Sequence, residues 1–171
     1  PTHEELDITK PITPKDYKLV IHCAAYTDVA KAEREHVKCI DVNYRGTRNL
    51  RYAYLTTPFV YISSEYANNQ TWYGLSKGMG ELVVKEYKPY LILRTYFKPR
   101  PFPYEKAFID QYTQGDYIDV IAKLIANIIV NWDRKISRMM YVGTGRKSVY
   151  ELAVQTRPDV KPCSIKDITD I

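Results

Sequence analysis

The chain has 171 residues, 45% hydrophobic and 26% charged, which suits one folded domain with a sizeable core. Its net charge is +5, but Lys and Arg are scattered and mostly alternate with Asp or Glu, so the basic stripe of a nucleic-acid binder is missing. Cys23, Cys39 and Cys163 form no metal-binding spacing and point to a reducing, cytoplasmic setting, and no apolar run approaches the ~20 residues of a membrane span.

Residues 18–23 form a short apolar run, which predicts a buried strand of a parallel sheet. Residues 24–28 follow as a small-residue loop. A helix is expected over much of 29–55, with Val37, Ile40, Val42, Leu50 and Ala53 on its inward face. Thr57 and Pro58 break it. Residues 59–62 are the next strand, with Ser63, Ser64 and Glu65 at its C-terminal end. Residues 68–71 are polar loop. Residues 73–87 predict a helix with apolar positions at Leu75, Met79, Leu82 and Val83, ended by Pro89. Residues 90–93 are a third strand, followed by Arg94 and Thr95.

Three prolines between Phe97 and Pro103 make that stretch an extended loop. Residues 118–132 predict a strongly apolar helix, and 139–142 a short strand. Gly143 to Gly145 is a turn. Ser148 is placed to cap a helix over 149–155, and the tail after Pro158 is polar with little pattern.

Strands alternating with helices imply an α/β fold with a parallel sheet and right-handed crossovers. Ligands in such sheets bind beyond the carboxyl ends of the strands. The loops that matter are therefore 24–28, 63–71 and 94–103.

On the helix that follows the second of them, Tyr73 and Lys77 stand one helical turn apart on one face. A phenol is a weak acid near neutrality, and a neighbouring cation favours its phenolate. The pair suits proton transfer to or from a substrate oxygen. With 16 tyrosines in the chain, the spacing alone equally describes an incidental pair on a solvated helix face. Ser64, at the preceding strand end, adds a hydroxyl able to reach the same crevice. A turn or helix cap is its structural alternative.

Five runs carry a resemblance. They are His22-Cys-Ala-Ala-Tyr-Thr-Asp-Val-Ala-Lys-Ala-Glu33, Val42-Asn-Tyr-Arg-Gly-Thr-Arg-Asn-Leu50, Val60-Tyr-Ile-Ser-Ser-Glu-Tyr66, Tyr73-Gly-Leu-Ser-Lys-Gly-Met-Gly-Glu81 and Ile92-Leu-Arg-Thr95. In content and order they resemble the extended short-chain dehydrogenases of the NAD-dependent epimerase/dehydratase superfamily. The nearest group is the dTDP-4-dehydrorhamnose reductases. Glu5-Leu-Asp-Ile-Thr9 is similar to that group's segment after the second strand. The likeness covers 5–95 well and reaches 142–145 weakly.

The resemblance implies a Rossmann-like sheet, an NAD or NADP cofactor and a nucleotide-linked sugar as substrate. It divides the chain into a dinucleotide-binding core, 1–96, and a reduced substrate-binding part, 97–171, holding the 118–132 helix. Tyr73 would be the general acid at a sugar carbonyl oxygen. Lys77 would lower its pKa and hold the nicotinamide ribose, and Ser64 would bind the same oxygen. Asp7 and Ile8 would lie against the adenine, and the Ala24 and Ala25 backbone beside the cofactor. Tyr26 and Thr27 would sit at the cofactor–substrate junction, with Glu65 beside Ser64 and Thr95 near the nicotinamide or sugar. Lys98 and Arg100 could meet the substrate diphosphate. Taken as residues, Asp7 is also a candidate cap, Ala24 and Ala25 are small loop residues, and Lys98 and Arg100 a solvated basic loop. Asn43 follows the cofactor loop, where relatives often carry a polar group that supports the site. No metal, nucleic acid or membrane is expected, and a homodimer is compatible with the resemblance.

Two departures stand out. The strand, glycine-rich turn and helix that grip the dinucleotide pyrophosphate in this family do not precede Glu5. The expectation is that part of the natural chain lies ahead of Pro1. The 64–73 loop and the segment after Thr95 are also short, so the substrate lid is reduced. A regulatory dinucleotide-binding protein of the same fold, or an inactive remnant, stands as the alternative.

Overall fold

The computed structural model describes residues 5–167. It divides into two compact units, Pro1–Arg94 with Asn131–Tyr141, and Thr95–Val130 with Val142–Ile171.

The first unit is built on a four-stranded sheet of order β1-β2-β3-β8: β1 (Val20–His22), β2 (Phe59–Ser64), β3 (Tyr90–Thr95) and β8 (Arg138–Val142). β1 and β2 run parallel, with Val20, Ile21 and His22 opposite Phe59, Val60 and Tyr61. The two central strands are buried over nearly their whole length, as strands covered on both faces must be. Their Phe59, Tyr61 and Ile92 form a core with Val20, Leu50, Tyr54 and Val84. Expectation and observation agree on the order of strands and helices and on a parallel α/β sheet.

The long helix expected over 29–55 is segmented. α1 (Val29–Ala32) ends at Glu33, the exposed Glu33-Arg34-Glu35 run turns the chain, and α2 (His36–Ile40) restarts it. A π-helical stretch, Asp41–Gly46, joins α2 to α3 (Thr47–Ala53). Of the expected inward face, Leu50 is buried, but Val37 is 63% exposed because the restart turns α2. At the end of α3, Arg51 is buried and donates to the carbonyls of Tyr54, Thr57 and Tyr87, closing the loop into β2.

α4 (Trp72–Lys85) begins one residue earlier than expected, with Thr71 as its N-cap. Its burial only partly follows the apolar pattern, with Val83 buried as an apolar position should be. Leu75 and Leu82 are exposed, whereas Tyr73, Ser76, Lys77, Gly80 and Glu81 are buried. Glycine makes the close packing feasible. A Cβ at Gly74 would lie 2.4 Å from the Tyr66 carbonyl oxygen, and one at Gly80 would lie 2.5 Å from the Tyr61 hydroxyl. The polar face packs inward because each polar group on it finds a partner there.

In the second unit, β4 (Phe97–Lys98) pairs with β7 (Asp116–Tyr117), and β5 (Lys106–Phe108) with β10 (Lys161–Cys163), both parallel. β6 (Tyr112–Thr113) pairs antiparallel with β9 (Lys147–Ser148). These strands of two or three residues were invisible to periodicity, which needs four or more positions. α5 (Ile118–Val130) is the expected apolar helix. α6 (Val149–Val154) carries a full capping box: Ser148 accepts from the Glu151 N–H, and Glu151 accepts from the Ser148 N–H.

Candidate active site

The C-terminal end of β2 brings Ser64 against the first turn of α4. Both Ser64 and Tyr73 are buried. Burial pushes the phenol above its ordinary value, and the nearby Ser64 hydroxyl pulls it back. The Ser64 oxygen also accepts from the Tyr66 N–H at 3.1 Å, which fixes its position at the start of the short helix Glu65–Asn68. Glu65 follows at once and is half-buried.

Lys77, one turn along α4 from Tyr73, is 2% exposed. Its ammonium donates to the Ile62 carbonyl at 2.8 Å and lies 4.2 Å from the centre of the Tyr61 ring. Burial lowers its pKa to about 7, opposed by the charge of Glu81. This puts a readily titrated cation beneath the site. The neighbouring His22 is likewise driven toward its neutral form: burial, then Lys77, holds it at about 3, and its ring nitrogen bonds Thr47 at 2.9 Å.

Asn43, 1% exposed in the π-helical stretch, ties the pieces together. Its oxygen accepts from the Tyr26 N–H at 2.8 Å. Its amide donates to the Tyr26 carbonyl at 3.1 Å and to Ser76 Oγ at 2.9 Å. The loop after β1 is thereby fastened to the helix that carries Tyr73 and Lys77. Ser76 in turn donates to the Tyr73 carbonyl and meets the buried Cys39 thiol at 3.2 Å.

Beside this loop lies a cavity of about 800 Å³. Its lining includes Asp7, Ile8, Cys23, Ala24, Ala25 and Tyr26, so five residues singled out in the sequence for cofactor contact share one space. Asp7 is occupied locally: its carboxylate accepts from the Thr9 N–H and hydroxyl and faces Lys10 at 3.7 Å. Ile8 is buried, and its carbonyl accepts from Asn49. Thr27 is exposed next to Asp28, which caps α1.

The other designated residues belong to the second unit. Thr95 is buried and donates to the Val142 carbonyl at 2.9 Å. Lys98 lies over the rings of Tyr96 and Tyr104. Arg100 stacks over Tyr117 and pairs with Asp119 at 3.3 Å. Among the described residues there is no cluster able to hold a metal ion, and no helix is long and apolar enough to cross a membrane.

One group stood inside a quoted motif without a role. Glu81 is buried, bound by Ser63 at 2.6 Å and by Arg94 through two bonds of 2.7 Å. Tyr73, Lys77 and Glu81 follow at i, i+4 and i+8, one stripe of a helix, and that spacing was the available signal.

Comparison with known proteins gives a consistent assignment. No curated protein matches the chain in sequence. Among solved structures, a dTDP-4-dehydrorhamnose reductase from Clostridium acetobutylicum superposes with a TM-score of 0.80 at 25% identity, covering 97% of this chain and 74% of that one. The dTDP-4-dehydrorhamnose reductase from Bacillus anthracis, solved in complex with NADP, gives 0.75 at 25% identity over 96% of this chain and 74% of that one. The Bordetella bronchiseptica enzyme WbmG, solved in complex with NAD, shares the fold, with a TM-score of 0.65 at 15% identity over 85% of this chain and 58% of that one. The family model for the RmlD substrate binding domain matches residues 2–98, more than half of the sequence, and the chain belongs to that family.

Proposed function

We propose that this chain is an NAD(P)H-dependent reductase of a nucleotide-linked sugar, with Tyr73 as the proton donor. The observation that carries the reading is the convergence of Ser64, Tyr73 and a buried Lys77 at one strand end, with the Tyr73–Lys77 helix tied by Asn43 to the loop that lines the cavity with Asp7 and Ile8. Its support from outside is the similarity to two dTDP-4-dehydrorhamnose reductases, one solved with NADP.

The residues suit a nicotinamide dinucleotide. The cavity is within the range of about 300–1,000 Å³ that small-molecule sites occupy. Its wall pairs the apolar Ile8 and Ala24–Ala25 with the Asp7 carboxylate, which suits an adenosine. When bound, the cofactor supplies the hydride.

The chain's own residues then do the rest. Tyr73 donates its phenolic proton to the carbonyl oxygen as charge builds there. Ser64 hydrogen-bonds the same oxygen and keeps the phenol aimed. Lys77 offsets the negative charge left on the phenolate and offers its ammonium to the ribose hydroxyls. We assign Tyr26, Thr27 and Glu65 to the sugar. In the second unit, the cationic Lys98 and Arg100 are side chains of a kind that suits a diphosphate.

The test is direct. Tyr73→Phe should lower kcat by about 10²–10⁴-fold while NADPH binding persists. Absence of both turnover of nucleotide-linked 4-keto sugars and thermal protection by NADPH or NADH in the unsubstituted protein would overturn the proposal.

A further inference from the structure

Resting on the reading just given, we infer that Tyr61 is a positioning residue of the same site: the face of its ring carries the Lys77 ammonium and so fixes where that cation stands, one helical turn from Tyr73.

Tyr61 and Ser63 alternate onto one face of β2, and α4 covers that face. Ser63 meets Glu81 there, and Tyr61 meets Lys77 and Gly80. The Tyr61 side chain is fully buried. Its hydroxyl end lies so close to α4 that a Cβ at Gly80 would stand 2.5 Å from the oxygen. Lys77 reaches over the ring from about one turn earlier, with Nζ 4.2 Å from its centre. That is well inside the roughly 6 Å at which a ring face attracts a cation. The His22 ring, opposite Tyr61 in the β1–β2 register, lies 5.3 Å away at 35° and packs the ring in place.

The ammonium has few other partners. It donates to the Ile62 carbonyl at 2.8 Å, and among the described residues no carboxylate forms an ion pair with it. Glu81, one turn further along α4, has its oxygens bound by Ser63 and Arg94, so its charge acts on Lys77 without contact. The other titratable groups around Lys77 are His22 and Cys23 from β1 and its loop, Cys39 from α2, and Tyr73 from its own helix. Burial keeps His22, both thiols and the phenols of Tyr61 and Tyr73 neutral near pH 7. A cation moved out of water needs a compensating partner to stay charged. The face of an aromatic ring is its negative side, and its pull on an ammonium grows as water is removed. For the buried Lys77, the Tyr61 ring and the Ile62 carbonyl are the groups in contact that supply this.

The experiment varies the ring in the full chain and reads Lys77 without needing turnover. The side-chain ¹³C signals of lysine, with Lys77 assigned by loss in Lys77→Arg, are followed through pH. Tyr61→Phe should leave the Lys77 midpoint in place, because the buried Tyr61 hydroxyl lies near Thr47 without a partner at hydrogen-bond geometry. Tyr61→Leu keeps an apolar side chain but removes the ring face. It should lower the midpoint by about one pH unit, and the falling limb of the kcat/KM profile should move with it. Phenylalanines bearing one, two and three ring fluorines at position 61 serve whether or not Tyr61→Leu folds. Fluorine draws electron density from the ring face with little change of shape, so the midpoint should step down with each one, a trend that packing alone does not produce. A midpoint unchanged across the fluorinated series overturns the inference, as does one that moves as far in Tyr61→Phe as in Tyr61→Leu. An unsubstituted protein without reductase turnover overturns the functional reading instead, while the Lys77 titration still decides the role of Tyr61.

Discussion

Lys77 Nζ donates to the carbonyl oxygen of Ile62 at 2.8 Å, so the cation of α4 is anchored to β2 two residues before Ser64. The anchoring is made inside the protein, and burial brings the group to about 7 from its ordinary 10.5. Below that pH Lys77 carries its proton, and above it the ammonium is lost. If the charged form supports proton donation by Tyr73, kcat/KM should fall as pH rises through about 7. A pH–rate profile of the free enzyme that stays flat from 6 to roughly 9 would contradict this.

Stability should respond to the same group with a definite sign. The folded pKa lies below the unfolded one, so between about 7 and 10.5 the unfolded chain binds more protons at this site. The contribution of Lys77 to stability therefore rises with pH across that window. Against Lys77→Met, the unsubstituted protein should gain ground as urea midpoints are measured from pH 7 to pH 10.

Asn43 offers a test of how the cofactor loop is held. Asn43→Ala removes two bonds to the Tyr26 backbone and one to Ser76 from a position 1% exposed. The orphaned groups should cost about 2–3 kcal/mol. NADPH affinity should fall along with the melting temperature, because Ala24, Ala25 and Tyr26 line the cavity. Calorimetric titration alongside thermal melts checks both, and a lower melting temperature with unchanged affinity would detach the loop from cofactor binding.

Gly80→Ala tests the packing of α4 on the sheet. The new Cβ would meet the Tyr61 hydroxyl at 2.5 Å and the Asn43 carbonyl oxygen at 2.8 Å. The backbone oxygen cannot rotate away, so overpacking should cost about 1–3 kcal/mol, despite alanine's better helix propensity. Chemical denaturation measures the sign, and a stabilised variant would show that the helix yields.

In the second unit, Ser148→Ala removes one half of the capping box on α6. A loss of about 1 kcal/mol is expected from the cap alone. Denaturation of Ser148→Ala beside Ser148→Asp, which restores an acceptor, separates the cap from any other effect.

The sequence by itself determined the α/β class and the succession of the longer strands and helices. Apolar runs such as 59–62 and 90–93 bury on both faces, so local periodicity was enough for these strands, and it also set Tyr73 and Lys77 a helical turn apart without saying whether that face is buried. Tertiary structure decided which face of α4 turned inward. Its apolar Leu75 and Leu82 stay exposed, because Gly80 permits close approach and Lys77 and Glu81 find partners on β2 and β3. Those partners lie 15, 18 and 13 residues away in sequence, beyond any local pattern. The same is true of Asn43, whose bonds to Tyr26 and Ser76 span 17 and 33 residues, and of the two-residue strands of the second unit. Burial of charge is a property of the assembled fold, and only there does Lys77 meet the Ile62 carbonyl and Glu81 meet Arg94.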